Sequence, residues 1–473
     1  MKKLKIRGKD IKKLGLKDDS QISLAINLIA KNFKRYQKVE ALEKLEKLIN
    51  NPGNYVNDEA FGIIAQSILK PKSKKEKARV KEGLIKEHPG YYKIYGRQGI
   101  EEGAISQMDT AMSLPVSVKG ALMADAHQGY GLPIGGVLAT VNAIIPYAVG
   151  MDIGCRMCMS IYPLSDKFMD ENKQKLKDVL IYNTRFGRAE FNDIKENQIV
   201  ERNEFKEIKL LKSLKDKAFR QLGTSGGGNH FVDFGYIETA ENDYLNIAPG
   251  KYFAILSHSG SRGLGAEIAR HYTRIAKEKC GLPKGAINLA WLNLDEDEGI
   301  EYWNAMQLAG DYSSENHRII HQKLAKALGE KPMTIIENHH NFAWKEKLNK
   351  NEEIIIHRKG ATPADKGVLG IIPGSMASPA FIVAGKGAPE SLNSASHGAG
   401  RLLSRSQAKS SITLKSLKQL MQKKCIDLIG GDTDEAPSAY KDILKIMEYQ
   451  KDLVEIVATF YPKMVRMDGE INI

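Results

Sequence analysis

The sequence predicts an α+β protein: one large domain with mixed β-sheets over residues 96–473, preceded by a helical N-terminal extension over residues 1–95. Three observations point there. The chain has 473 residues, 42% of them hydrophobic and 27% charged, enough to bury a core without covalent staples. Before about Gly90 the apolar residues recur at helical spacing. From Ile94 onward, short β-branched runs punctuated by glycine alternate irregularly with helical patterns, the texture of a mixed sheet and not of a doubly wound one.

Taken in order, Asp18-Asp19-Ser20 can cap a helix reaching Lys34, with Ile22, Leu24, Ala25, Leu28 and Ile29 on one stripe. A second helix is expected over 39–49, where Leu42, Leu45, Leu48 and Ile49 precede the Asn50-Asn51-Pro52-Gly53 break. A third covers 58–69. The basic run 70–81 reads first as a solvated helix face and second as a nucleic-acid contact. Beyond it, strands are expected within 137–149, 157–162, 252–257, 334–336 and 353–357. Helices are expected over 166–183, 197–223, 265–280, 300–328, 416–429 and 439–461.

Lysine plus arginine total 70 against 57 acidic residues, a net charge of +13 that suits a polyanionic partner only if it clusters. The basic start Met1-Lys-Lys-Leu-Lys-Ile-Arg7 is followed by no apolar core, so no secretory leader is expected. The longest apolar stretches, 137–149 and 371–388, are broken by proline and glycine, so no membrane association is expected. Four cysteines are too few for a disulfide scaffold and fit a reducing, cytoplasmic location.

Chemistry concentrates in turns. Five of the eleven histidines, His127, His230, His258, His340 and His397, sit in Gly/Asn/Ser-rich turns at the ends of apolar runs. Loops held at strand ends are where catalytic side chains gather. The segment Val149-Gly-Met-Asp-Ile-Gly-Cys155 adds a carboxylate and a thiol. In a regular strand Asp152 and Cys155 would face opposite sides, but Gly150 and Gly154 can turn the chain so that both project one way. A carboxylate, a thiolate and several imidazoles form a metal set, and a bridging thiolate lets so few ligands hold two ions. Mixed O/N/S donors suit Mn, Co or Zn better than Mg alone. Cys155 and Cys158 also form a C-x-x-C, but Cys280 and Cys425 are isolated, so no second ligand pair completes a structural zinc motif, and a redox pair is the lesser reading. There is no Walker P-loop, and Gly223-Thr-Ser-Gly-Gly-Gly228 is not a Rossmann turn, though it can form an anion nest. Arg466-Met-Asp-Gly469 is not a ligase K-x-D-G, because arginine stays protonated and cannot be the nucleophile.

Together these segments resemble the RtcB family of RNA-splicing ligases over residues 100–473. Asp125-Ala-His-Gln-Gly-Tyr-Gly-Leu-Pro-Ile-Gly-Gly136, Asp152-Ile-Gly-Cys155, Gly228-Asn-His-Phe231, His258-Ser-Gly-Ser-Arg-Gly263, His340-Asn341, Pro373-Gly-Ser-Met376, Ser396-His-Gly-Ala-Gly-Arg401 and Asp434-Glu-Ala-Pro-Ser-Ala-Tyr-Lys441 follow the family's order. The resemblance implies an RNA ligase using GTP and two Mn²⁺. It would join an RNA 3′-phosphate or 2′,3′-cyclic phosphate end to a 5′-hydroxyl end in RNA repair or tRNA splicing, with an archease-type activator as a partner. It implies metal ligands at Asp152, Cys155, His230, His258 and His340, and a guanylylated histidine at His397. Nucleotide contacts are implied at Asn229, Asp233, Ser375, Gly398, Ala399, Gly400 and Tyr440, and phosphate contacts at Arg262, Lys359 and Arg401. The chain departs from the family pattern at several positions. Arg156 stands where glycine often follows the metal cysteine, and Ala380 where a nucleotide-contacting serine is usual. Asp233 is one methylene shorter than the usual glutamate, His317 follows Asn316 where arginine is typical, and Pro363 follows Ala361-Thr362. A two-metal phosphoesterase or nuclease acting on RNA ends would use the same metal ligands without needing His397. A non-catalytic RNA-binding protein would need neither.

Overall fold

The computed structural model describes residues 8–16, 19–33, 37–58, 60–69, 85–191, 196–349 and 352–471. Asp18 and Lys34, the expected limits of the first helix, and the basic run 70–81 lie outside them. The chain divides into two compact units, Met1–Arg79 and Val80–Ile473. In the first, helices Gly8–Lys12, Asp19–Asn32, Lys38–Asn50 and Gly62–Leu69 bury Ile11, Ile29, Leu45, Leu48, Phe61 and Ile64 together. The helical spacing of those residues thus serves one small core.

The second unit is built on two main sheets. A five-stranded sheet runs in the order β1 (Tyr92–Ile94), β2 (Ser117–His127), β3 (Ile134–Thr140), β11 (Glu352–Lys359) and β10 (Asn341–Asn349). Its β1–β2 pair is parallel and its other pairs are antiparallel. An eight-stranded sheet follows the path β13 (Leu369–Ile372), β14 (Ala380–Gly385), β17 (Val454–Met467), β6 (Phe231–Thr239), β7 (Gly250–Ser259), β5 (Arg156–Ser165) and β9 (Thr334–His339), with β16 (Asp427–Ile429) parallel to β17. Two small ladders pair β4 (Ala143–Ile144) with β8 (Leu292–Asn293), and β12 (Ala361–Pro363) with β15 (Ser394–Ser396). The mixed-sheet α+β architecture read from the sequence is therefore the one observed.

The large sheet curls until its ends meet. Buried Asn338 of β9 accepts a hydrogen bond from Ile371 N–H of β13 at 2.9 Å and donates to Thr362 Oγ1 at 2.7 Å. Two residues later, His340 alone separates β9 from β10, so it stands where the two sheets join. Helices Arg262–Cys280 and Asp297–Leu328 pack together, and the latter lies against β5 and β7. Asp297 and Glu298 in the first turn of that 32-residue helix, and Gly329 at φ +78° after it, mark ends that suit the helix dipole and a left-handed cap. Among the described residues no helix is long and apolar enough to cross a membrane.

Several helical expectations shorten or change type. Residues 416–429 hold a helix only over Leu414–Lys423; Cys425 at φ +53° ends it, and β16 follows. Residues 439–461 hold a helix only over Ile443–Tyr449 before β17 begins. There Leu453, Val454 and Val457 continue a spacing that fits both periods, and pairing with β14 on one side and β6 on the other decides for strand. The run 166–183 breaks at Asn172, and 197–223 falls into three short helical pieces. Within 137–149, Pro146 starts the helical turn Pro146–Val149, where a single apolar run had suggested strand.

Asn338→Ala leaves Ile371 N–H and the Thr362 hydroxyl unpaired in the seam, and is expected to cost about 1–3 kcal/mol of stability. Denaturant unfolding followed by tryptophan fluorescence measures this; an unchanged midpoint would contradict the closure assigned to Asn338.

Candidate active site

Four neighbouring strands bring the metal-type residues to one end of the curled sheet. Cys155 precedes β5, His230 precedes β6, His258 lies near the end of β7, and His340 follows β9. The register sets Met157 and Phe231 opposite His258, and Arg156 opposite His339, so the four side chains emerge side by side. The chain enters this end through a turn in which Cys155 N–H donates to Asp152 C=O at 3.1 Å. Gly154, at φ +69°, passes so close to the helix Asp297–Leu328 that a Cβ there would lie 2.9 Å from Gly310 Cα. That turn lets Asp152 and Cys155 point one way, as the glycines at 150 and 154 suggested.

The distances are those of a shared centre. Cys155 Sγ is 3.1 Å from His258 Nε2 and 3.5 Å from His230 Nε2. Asp152 Oδ2 is 2.9 Å from His230 Nε2, and His258 Nε2 is 3.3 Å from His340 Nε2. The other ring nitrogens fix what these atoms are. His230 Nδ1–H donates to Ser225 C=O at 2.7 Å, and His258 Nδ1–H donates to Asn229 C=O at 3.1 Å. Each Nε2 is thereby turned toward a carboxylate, a thiol or another imidazole. His340 Nδ1 is buried with no hydrogen-bond partner among the described residues. Imidazoles anchored by Nδ1–H to backbone carbonyls, with Nε2 turned to a common centre, are built as metal ligands are. The donor set fits a borderline divalent ion.

Electrostatics agree. Burial pushes the Cys155 thiol well up. It also pushes His258 down to about 3 and His340 well below its ordinary range. Burial would raise Asp152, but the adjoining His230 holds it below the ordinary carboxylate value. Without a metal, the cluster at neutral pH therefore contains a thiol, neutral His258 and His340, and one carboxylate.

His397 follows β15 and faces this centre, its ring centroid 4.9 Å from that of His340. Its Nδ1 lies 2.7 Å from Oδ2 of Asp125, which is fully buried near the end of β2. The same oxygen accepts the backbone N–H groups of His397 at 3.1 Å and Gly398 at 3.3 Å. Burial would raise Asp125, but His397 holds it ionised below its usual value. An ionised carboxylate can only accept, so Nδ1 carries the proton and Nε2 is the free nucleophilic atom. Gly400, at φ +74°, lets the backbone pass: a Cβ there would sit 2.1 Å from Asp125 C=O. Asp125 heads a motif quoted from the sequence yet carried no assigned role; the signal was its place two residues before His127 in a Gly-rich turn.

A cleft of about 310 Å³ opens beside His397 and His340. Its walls include Asn229, Asp233, Ser375, Gly398, Ala399, Gly400 and Tyr440, the positions singled out for a nucleotide, over an apolar floor containing Phe231, Ala380 and Phe460. Asp233 is buried with Oδ1 unpartnered among the described residues, and burial raises its pKa far above the ordinary value. A protonated carboxyl here offers both a donor and an acceptor to a base edge. Tyr440 OH bonds Glu435, and the Arg401 guanidinium lies 5.1 Å from the Tyr440 ring centroid. The proposed phosphate cations have protein partners. Arg262 donates to Thr224 Oγ1 and Gly187 C=O, Arg401 to Asp434 C=O, and Lys359 to Tyr130 and Leu132 C=O. Burial pushes Lys359 down to about 7. Arg156 extends to Glu337 Oε1 at 2.8 Å.

Comparison with known proteins gives a consistent result. The family model described as tRNA-splicing ligase RtcB matches residues 107–468. The chain is 33% identical over 396 residues to the RNA-splicing ligase RtcB1 of an Escherichia coli strain, covering 76% of this chain and 93% of the relative. It is 32% identical to the RNA-splicing ligase RtcB of Escherichia coli K12 with the same coverage. To the tRNA-splicing ligase RtcB of Archaeoglobus fulgidus it is 28% identical over 470 residues, covering 83% of this chain and 95% of the relative.

Because Cys155 is a buried thiol without metal, binding of Mn²⁺ at this cluster is expected to release about one proton, and affinity should rise about tenfold per pH unit through neutrality. Calorimetry in buffers of different ionisation enthalpy reads the proton directly. A heat independent of buffer would contradict thiolate ligation.

Proposed function

The chain belongs to the RtcB family of tRNA-splicing ligases, and on that footing we propose that it joins RNA 3′-phosphate or 2′,3′-cyclic phosphate ends to 5′-hydroxyl ends using GTP, through a guanylylated His397. The observation that carries this reading is the Asp125–His397 pair at 2.7 Å beside the cleft and the Cys/His/Asp cluster. A phosphoesterase working through the cluster alone would have no use for a carboxylate-oriented imidazole at its edge.

Asp152, Cys155, His230, His258 and His340 would hold two Mn²⁺. When bound, the ions supply positive charge for phosphate oxygens and for the pyrophosphate leaving group. Asp125 keeps the Nδ1 proton on His397 and offsets the positive charge that grows on the ring. Nε2 attacks the α-phosphorus of GTP; the new P–N bond forms as the P–O bond to pyrophosphate breaks. The guanylyl group then passes to an oxygen of the RNA 3′-phosphate, restoring neutral His397. Finally the 5′-hydroxyl attacks that activated phosphorus, GMP departs and a phosphodiester remains. A 2′,3′-cyclic phosphate is first opened by water. Asp233, Ser375 and Tyr440 line the cleft and are the proposed nucleotide contacts, an archease-type protein is the proposed activator, and a reducing cytoplasm is the setting in which Cys155 would stay a thiolate donor.

With Mn²⁺, α-labelled GTP and archease, the protein is expected to acquire label that is acid-labile and alkali-stable, and to lose it in His397→Ala. Asp125→Asn can orient its amide N–H₂ toward Nδ1 and favour the wrong tautomer, so the labelling rate should fall about 10²–10⁴-fold with the fold intact. No label on the unaltered protein, or full labelling of folded His397→Ala, would overturn the reading.

A further inference from the structure

A second cluster of ligand-type side chains lies on the other face of the catalytic strands. Along β5, Met157, Met159 and Ile161 join the core inside the curled sheet, while Tyr162 packs with Ile320 and Leu324 of the helix Asp297–Leu328. By strand parity Cys158 and Ser160 face that helix too. Across the ladders Cys158 stands opposite Ser257 of β7 and Glu337 of β9. The helix lays His317 and His321, one turn apart and so on one face, over this row.

Cys158 Sγ and one nitrogen of each imidazole lie within 4.8 Å of one another, and all three side chains are buried. Ser257 Oγ sits 2.8 Å from both His317 Nδ1 and His321 Nε2, and Ser160 Oγ is 2.7 Å from His321 Nδ1. His317 Nε2 is buried with no hydrogen-bond partner among the described residues. A cavity of about 300 Å³, walled in part by Cys158, Ser160, His321 and Glu337, borders the cluster and leaves room for an ion to enter.

We propose that Cys158, His317 and His321 form a second, non-catalytic site for a zinc-type divalent cation beneath the catalytic strands. One thiolate and two imidazoles are the soft and borderline donors such an ion selects. Binding forms metal–sulfur and metal–nitrogen bonds, releases the Cys158 thiol proton to solvent, and requires the Ser257 hydroxyl to rotate off the imidazole lone pairs. Water from the cavity supplies the fourth ligand. The ion would tie the long helix to β5 and β7, the strands that carry Cys155 and His258.

The test uses full-length Cys155→Ala, which removes the catalytic thiolate from the readout. Metal-free protein titrated with Co²⁺ should develop a near-ultraviolet thiolate-to-cobalt band, and dialysis against Zn²⁺ should raise its thermal midpoint. Adding Cys158→Ser should abolish the thiolate band and reduce the Zn²⁺ shift, and adding His321→Gln should weaken the Co²⁺ binding read by that band at least about tenfold, with circular dichroism showing that each variant is folded. A Cys155→Ala protein that gives no thiolate band, or a band that survives Cys158→Ser, would overturn the proposal.

Discussion

A carboxylate, a thiol and three imidazoles buried within hydrogen-bond distance of one another are the constraint around which the candidate site is organised. His230 and His258 each commit Nδ1–H to a backbone carbonyl, so their Nε2 atoms must face Cys155, Asp152 and His340 across about one ion's width. Burying polar groups is costly unless each finds a partner, and a divalent cation is the partner that would suit this whole set at once. The pairing of β6, β7, β5 and β9 is what gathers these side chains, because each strand delivers one of them at the same end.

The proposed nucleophile belongs to a different part of the scaffold. Asp125 ends a strand of the five-stranded sheet and His397 follows the small β12–β15 ladder, while the metal-type residues sit on the curled sheet. His340, the one residue between β9 and β10, joins the two systems and places its ring against that of His397. Chemistry at a junction between rigid sheets is a way to keep two preorganised parts at a fixed separation. Three backbone and side-chain bonds to one oxygen of Asp125 fix the tautomer of His397 before any substrate arrives.

Much of this was legible in the sequence. The turn-borne histidines and the Asp152–Cys155 glycine turn identified the centre, since imidazole, thiol and carboxylate in Gly-rich turns have few purely structural uses. The role of Asp125 was not legible, because a lone carboxylate in a motif says nothing of which imidazole, some 270 residues away, it will orient. Nor was the strand Val454–Met467, whose apolar spacing suits a helix until two neighbouring strands compete for it. Cys158 was read only against Cys155, as a C-x-x-C. The structure parts the two thiols between clusters, and the partners of Cys158 are histidines on a helix that no local spacing connects to it.

The most direct test of the central claim is where the guanylyl group becomes attached. A structure of the protein after reaction with GTP and Mn²⁺ should show phosphorus bonded to Nε2 of His397, with Nδ1 still held by Asp125 and the Cys155 cluster occupied by metal. Phosphorus on Nδ1, on any other side chain, or His397 turned away from Asp125 would contradict the account.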